Sequence, residues 1–432
     1  MTRHLAALIA LLIAASAGCA PAVPGASGEP AGITLAAANV PRASASPADA
    51  TAAAGAINAF GLDLYRRAAP AGTNVVVSPA SIAIALSMAR AGARGQTATE
   101  MDAVLRAVGS DPHAAGINAL DGALAARNGS FPDAKGNLLD VTLRVANAPF
   151  AQRGLPLEQG FLDALAARFG AGLRLVDYKT NAEAARTLIN RWVDDQTAGR
   201  IPELLQPGSL SDLTRLTLVN AIYLKAPWAM PFDPNATKPG TFLRAGGSTV
   251  EVPMMSLTEG LRYAAGSGWR AVELPYIGGS LALEIVVPDD LAAFERSLTP
   301  ELLAGVAGAL EDRMVQLSMP RFGVKTATDL APVLAALGMP SAFDRDRADF
   351  SGITTAERLF ISNVIHQANI SVDEKGTEAA AATAVALDAT GAPAEPVTLQ
   401  VDRPFLFVLR DLPTGAILFL GRVVDPSTAP GG

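Results

Sequence analysis

The side chains that could do chemistry are few, and their spacing excludes most of it. Three histidines, His4, His113 and His366, and one cysteine, Cys19, are scattered along 432 residues. A lone cysteine allows no intramolecular disulfide and no cysteine-ligated zinc or iron–sulfur centre. His4 falls in the leader and the other two histidines lie far apart, so neither a metal nor a cofactor is expected. No G-x-S-x-G, H-E-x-x-H or P-loop motif occurs. Gly170-Ala171-Gly172 lacks the third glycine of a dinucleotide fingerprint. A Ser–His–Asp triad would have to recruit His113 or His366. Neither sits near a marked serine motif, although triads are not local in sequence. Asp194-Asp195 and Asp289-Asp290 read most simply as solvated groups or helix caps. An enzyme is therefore not the expected reading. One segment is unusual. Asp373 to Val385 reads DEKGTEAAAATAV, and after Gly376 only Glu378 has a large side chain. Composition alone leaves two plain readings, an Ala-rich exposed helix or a low-complexity loop.

The elements around that segment mix two periodicities. Ile57 to Arg67 carries Ile57, Phe60 and Leu64 at helical spacing. Ser78-Pro79 opens a second helix, with Ser as N-cap, and Gly92 is placed to end it. Asn181 to Gln196 predicts a third, with Ala185, Leu188, Ile189 and Trp192 on one face. Leu216 to Leu224 is nearly continuous apolar sequence, as a buried central strand would be. Leu281–Val287, Val315–Met319, Phe405–Leu409 and Ala416–Leu420 are further strands. Helices and strands without βαβ regularity predict an α+β fold.

Composition bounds the rest. Half the residues are hydrophobic and 17% are charged, enough apolar surface for a large core. The net charge of −7, with no basic block, argues against nucleic acid as partner. Residues 1–18 read as a signal peptide, with Arg3 and His4 before an apolar run too short to span a bilayer. Two cleavage readings stay open. Ala15-Ser16-Ala17 is a small-x-small site that would release a soluble protein. Ser16-Ala17-Gly18-Cys19 resembles a bacterial lipobox, with Ser16 where Leu is usual and Cys19 as the lipidated residue. Export is expected either way, to a secreted or periplasmic form or to a membrane held only through the lipid. Residues 19–54, rich in Ala, Pro, Gly and Ser, read as a flexible tether. Residues 55–426 show no composition break and read as one domain, and 427–432 as a disordered tail.

Glu374-Lys375-Gly376-Thr377-Glu378-Ala379-Ala380-Ala381-Ala382-Thr383 resembles the proximal hinge of the reactive loop of inhibitory serpins. Other segments match that family in order and spacing across 55–426. They include Asn147-Ala148, Ile189-Asn190-x-Trp192-Val193, Thr197-x-Gly199-x-Ile201 and Val219-Asn220-Ala221-Ile222-Tyr223 with Trp228. Val252-Pro253-Met254-Met255, Leu274-Pro275-Tyr276, Leu337-Gly338-Met339, Asp402-Arg403-Pro404-Phe405 and Leu418-Phe419-Leu420-Gly421-Arg422 follow.

The resemblance implies a single domain of three β-sheets and about nine helices with an exposed reactive-centre loop. It implies an irreversible suicide-substrate inhibitor of serine proteases. A protease cuts the loop, is held as an acyl-enzyme, and the loop inserts as a strand in the main sheet. On insertion Thr377, Ala379, Ala381 and Thr383 would turn inward and Glu378 would face solvent. Hinge-to-cleavage spacing puts the scissile bond at Thr390–Gly391, preceded by Leu387, Asp388 and Ala389. A small residue there suits elastase-like or subtilisin-like enzymes; cutting after Asp388 would instead suit an acid-preferring one. No Arg or Lys lies between Lys375 and Arg403, which disfavours a trypsin-like target. Cysteine proteases are a second class the family engages, and a monomer is expected. Ser78, Ser81, Asn220 and His366 match the family's shutter under the main sheet. Trp192 and Arg321 match its breach, with Arg321 the candidate partner of Glu374. Ala114 to Phe131, matching a heparin-binding region, has few basic residues, so glycosaminoglycan activation is not expected. Pro149, Leu224 and Ala226 depart from the pattern. The alternative is a non-inhibitory serpin acting as a binding or chaperone-like module, whose hinges often carry the bulky or charged residues absent here.

Overall fold

The computed structural model describes residues 29–70, 72–378 and 395–428. Cys19, hinge residues Ala379–Thr383, Leu387–Ala389 and the Thr390–Gly391 bond lie outside the described residues. In chain order the first elements are β1 (Thr34–Ala36), α1 (Pro47–Ala68), β2 (Val75–Val77), α2 (Pro79–Gly92), α3 (Gly95–Val104) and α4 (Ser110–Ala125). Next come β3 (Gly129–Pro132), β4 (Leu138–Gln152), α5 (Gln159–Phe169), β5 (Leu173–Val176), α6 (Tyr178–Gln196) and β6 (Leu216–Pro227). β7 (Lys238–Leu243), β8 (Thr249–Gly266), β9 (Trp269–Pro275), β10 (Leu281–Pro288), α7 (Leu291–Ser297) and α8 (Pro300–Gly308) follow. The chain then forms β11 (Glu311–Pro320), β12 (Phe322–Asp329), α9 (Ala331–Leu337), β13 (Ile361–Asp373) and β14 (Gly376–Thr377). It closes with β15 (Val397–Gln400), β16 (Phe405–Asp411) and β17 (Ile417–Val423).

The α+β expectation holds, with nine helices among the described residues. The strands form two large sheets. One runs β1-β5-β4-β6-β14-β13-β12 with β3 on β4, the other β15-β11-β8-β9-β10-β16-β17-β2 with β7 on β8. The three sheets implied by resemblance are two large ones here because β8, 18 residues long, changes partners along its length and so joins the β15-β11 ladder to the run from β9 to β2. Its first part pairs with β7, its last part with β9, and β11 runs along most of it.

Local sequence explains the central elements. Ser78 caps α2 by accepting from the Ser81 amide, and Pro79 occupies the first turn. The helix is rich in Ala and Ser and almost wholly buried, so it fits between β4 and β6 on one side and β17 on the other. β6 is buried at every position except Lys225, as its continuous apolar run predicts. Pro149 sits at a position where β4 pairs with β6 alone, since the β5 ladder begins at Phe150, so a missing donor is tolerated.

Two domain boundaries read from the sequence move. The stretch 19–54 does not behave as a tether over its described part. β1 adds a strand to the edge of the first sheet by pairing with β5. Ile33 is buried with Phe150, Tyr178 and Trp192. Arg42 donates to Asn118 and Asp121 on α4, and Glu29 pairs with Arg174 at 2.7 Å. α1 starts at Pro47, and Ala50, Ala53 and Ala54 are buried. At the other end, Ser427 and Thr428 belong to a 3-10 turn with Pro426, not to a tail.

Candidate functional site

β6 and β13 run parallel and pair from Leu216/Ile361 up to Ile222/Ala368. Above that point the pairing stops, and β14 occupies the space between the strand ends. It is antiparallel to both, with Thr377 opposite Ala226 on β6 and Val372 on β13. The base of the loop is therefore already seated as the first two residues of an added strand. Gly376 is required there. Its φ is +151°, and a Cβ would meet the Ala226 carbonyl oxygen at 2.2 Å. Thr377 is 1% exposed, and its hydroxyl lies 2.6 Å from that of Tyr276. Glu378 donates its amide to the Ser371 carbonyl and has a φ of +51°, so the chain turns off the sheet at this residue. Its carboxylate is 3.2 Å from Arg200 and partly buried. Burial pushes its pKa up, against the pull of Arg200 and Lys225.

Glu374 holds the turn below. Arg321 donates to its Oε1 from Nε at 2.7 Å and Nη2 at 2.6 Å, and Thr237 donates to the same oxygen at 2.5 Å. Burial disfavours the ionised carboxyl, but these hydrogen bonds win and hold its pKa below the usual value. The Arg321–Glu374 pairing implied by resemblance is present. Trp192 is a correction. It lies on α6 against Phe150 and Arg174, in the cluster that contains Ile33, and not beside Glu374. The tryptophan at the loop base is Trp228. Its amide donates to the Lys375 carbonyl and its Nε1 to that of Asp373 at 2.9 Å, while its ring stacks on Tyr276 at 4.5 Å. Trp228 follows β6 directly, so strand continuity, more than helical facing, was the signal for it.

Ser78, Ser81, Asn220 and His366 do come together, below the seated strand. The Ser78 amide donates to His366 Nε2 at 3.3 Å, so Nδ1 carries the proton and donates to Asn220 Oδ1 at 2.5 Å. Asn220 Nδ2 donates to Ser81 Oγ at 2.5 Å and to Asn147 Oδ1 at 2.6 Å. Ser81 Oγ donates to the same Asn147 oxygen. Full burial drives the His366 pKa down to about 3, so the ring is neutral and structural. Asn147 was not singled out for this cluster; it supported the resemblance only as half of Asn147-Ala148. The network spans α2, β4, β6 and β13, the elements that meet where β6 and β13 would part.

A hydrolase finds no support at the other histidine. His113 Nε2 is 2.7 Å from Ser87 Oγ, but that hydroxyl also bonds the Ala83 carbonyl. Asp102 is engaged in full by Arg90. Among the described residues no group of three His, Cys, Asp or Glu could hold a metal ion, and no helix is long and apolar enough to cross a membrane.

A two-residue strand between parallel neighbours, a charged clamp at its base and a polar cluster beneath are the architecture of serpins. The family model "Serpin (serine protease inhibitor)" matches residues 55–426, and the chain belongs to this family. The uncharacterized serpin-like protein TK1782 of Thermococcus kodakarensis is 39% identical over 86% of this chain and 85% of its own length. The leukocyte elastase inhibitor of Bos taurus is 38% identical over 83% and 94%. Among solved structures, the thermophilic serpin Tengpin in the native state superposes with a TM-score of 0.80 at 24% identity, covering 90% of this chain and 99% of that one. Thyroxine-binding globulin in complex with thyroxine gives 0.75 at 30%, covering 86% and 99%.

Proposed function

We propose that this serpin is an irreversible inhibitor of serine proteases. The observation that carries the reading is the seated β14, already antiparallel to both strands that would receive the rest of the loop. A protease serine attacks the carbonyl of Thr390; the amine of Gly391 leaves, and an ester joins enzyme and loop. Freed at one end, the loop continues the strand that Gly376 and Thr377 begin. One parallel ladder is replaced by two antiparallel ones, and each added hydrogen bond is worth about 0.5–1.5 kcal/mol net. The native chain is then held from a lower state by kinetics. The small residues after Glu378 support this reading, because they let a strand enter between close neighbours.

The target we favour is elastase-like or subtilisin-like, on the small Thr390 and on the similarity to an elastase inhibitor. The decisive experiment is incubation with a panel of both enzyme kinds. A complex resisting boiling in detergent is expected, with mass spectrometry locating the cut at Thr390–Gly391. Cleavage without any complex across the panel sinks the proposal and favours a non-inhibitory carrier, the kind of role thyroxine binding represents in one structural neighbour. We further propose export with Cys19 as lipid anchor. Labelled palmitate should enter the wild type and not Cys19→Ser; equal labelling rejects the anchor.

A further inference from the structure

At the foot of the first sheet, where β6 and β13 begin, lies a cleft of about 330 Å³. Leu213 and Arg215 enter it just before β6, Arg358 just before β13, and Arg345 from the segment between α9 and β13. Its charge is lopsided. Glu357 is already held by Arg215 at 3.2 Å and by Lys179 at 3.3 Å. That leaves Asp346 on the lining against Arg345 and Arg358. Arg345 is exposed and makes no ion pair among the described residues. The cleft therefore favours an anion.

β14 fixes what can reach it. It pairs Gly376 with Pro227 and Thr377 with Ala226. In an antiparallel ladder each further loop residue meets one residue earlier on β6. Carried on without a bulge, this register sets Ala379 and Ala381 opposite Leu224 and Ile222, and Thr383 opposite Asn220. Val385 and Leu387 then meet Leu218 and Leu216. All share the inward face of Thr377, so the polar residue meets the polar cluster and the larger apolar ones meet the apolar core. The other face carries Ala380, Ala382, Ala384 and Ala386. Ala382 and Ala384 fall opposite Ala221 and Val219, which pack with Ile189 and Trp192 of α6, so only small residues fit beneath the helix. The alanine run ends at Asp388, and its partner in this register is Arg215. Thr390 falls opposite Leu213, past the end of the sheet.

We propose that this cleft is the docking site for Asp388 once the loop is cut, its carboxylate set against Arg215 with Arg345 and Arg358 adding their charge. The inference rests on the insertion proposed above and adds where the strand stops. It gives Asp388 a task in the inserted form, separate from recognition by a protease.

The test uses the full mature chain, intact and with its loop cut by limited proteolysis, mass spectrometry confirming a cut beyond Asp388. Thermal midpoints are read by calorimetry at low salt, with urea added to bring both forms into range. Arg215 also holds the carbonyls of Asp212 and Thr214, so each loss is taken relative to the intact chain of the same variant. Asp388→Asn and Arg215→Gln should each lower the midpoint of the cut chain by about 2 °C or more. The double variant should fall no further than the larger single loss, because the two residues act as one pair. Both losses should shrink at high salt. Asp388→Lys should cost more than Asp388→Asn, and it keeps the test open if Arg215→Gln fails to fold. No rise on cutting the wild type overturns insertion, and this site with it. A rise that Asp388→Lys leaves undiminished, or losses that add in the double variant, overturns the docking alone.

Discussion

At the residue scale, the loop base depends on a few side chains with no freedom to change. Thr377 is enclosed, so Thr377→Arg must either bury a charge or unseat the strand. The number of inhibitor molecules used per protease should rise at least tenfold in the variant, read by titrating a fixed amount of enzyme. An unchanged titration end-point would contradict the seating argument. The polar cluster makes the fold acid-sensitive. His366 titrates near 3 in the folded chain against 6.5 when free, so its contribution is complete above about pH 6.5. It is lost progressively as pH falls toward 3, on the order of 5 kcal/mol in all. Glu374 adds a loss of the same sign at lower pH, since its folded pKa also lies below the free value. Denaturant midpoints should fall between pH 6.5 and 4, and the fall should shrink in His366→Gln. How these residues would group was legible only through resemblance. Nothing in the types or spacing of Ser78, Ser81, Asn220 and His366 says that they touch. Trp192 was misplaced for a physical reason: a helical face buries its tryptophan wherever the helix lies, and sequence does not say against which end of the sheet.

At the element scale, the strands with continuous apolar runs and the helix opened by Ser78-Pro79 were legible, because burial on both faces and a capped first turn leave direct marks. The N-terminal segment was not. Its strand β1 is three residues long, and the start of α1 buries a stripe of alanines. Gly116 of α4 lets that stripe approach closely, with a Cβ there only 3.0 Å from Ala53. Small residues in tight contact look like linker composition. Burying Ile33 and adding a β1 ladder should stabilise the chain by about 2–4 kcal/mol. A chain starting at Pro47 should therefore unfold at a lower denaturant concentration than one starting at Glu29. Equal midpoints would mean that the segment rests on the body without stabilising it.

At the scale of the whole molecule, the family fold was legible from many weak segments in one order. The merging of its strands into two sheets was not, because a long strand such as β8 changes partners along its length and sequence does not record partners. On the proposed mechanism an entire strand joins the first sheet after cutting, so the thermal midpoint should rise by roughly tens of degrees. Differential scanning calorimetry before and after limited proteolysis reads this directly, and an unchanged midpoint would rule out insertion. The turn at Asp373–Gly376 has one more consequence. It ties the incoming strand to its neighbour β13 by only two intervening residues, Glu374 and Lys375. A tether that short presents the strand to its own sheet at an effective concentration of about millimolar or more. A free peptide of the same sequence, or the loop of a second molecule, competes only at comparable concentration. The proposed self-insertion would be favoured by proximity and not by any contact a stranger could not also make, so crowded chains with a loosened sheet are where strands would be exchanged between molecules.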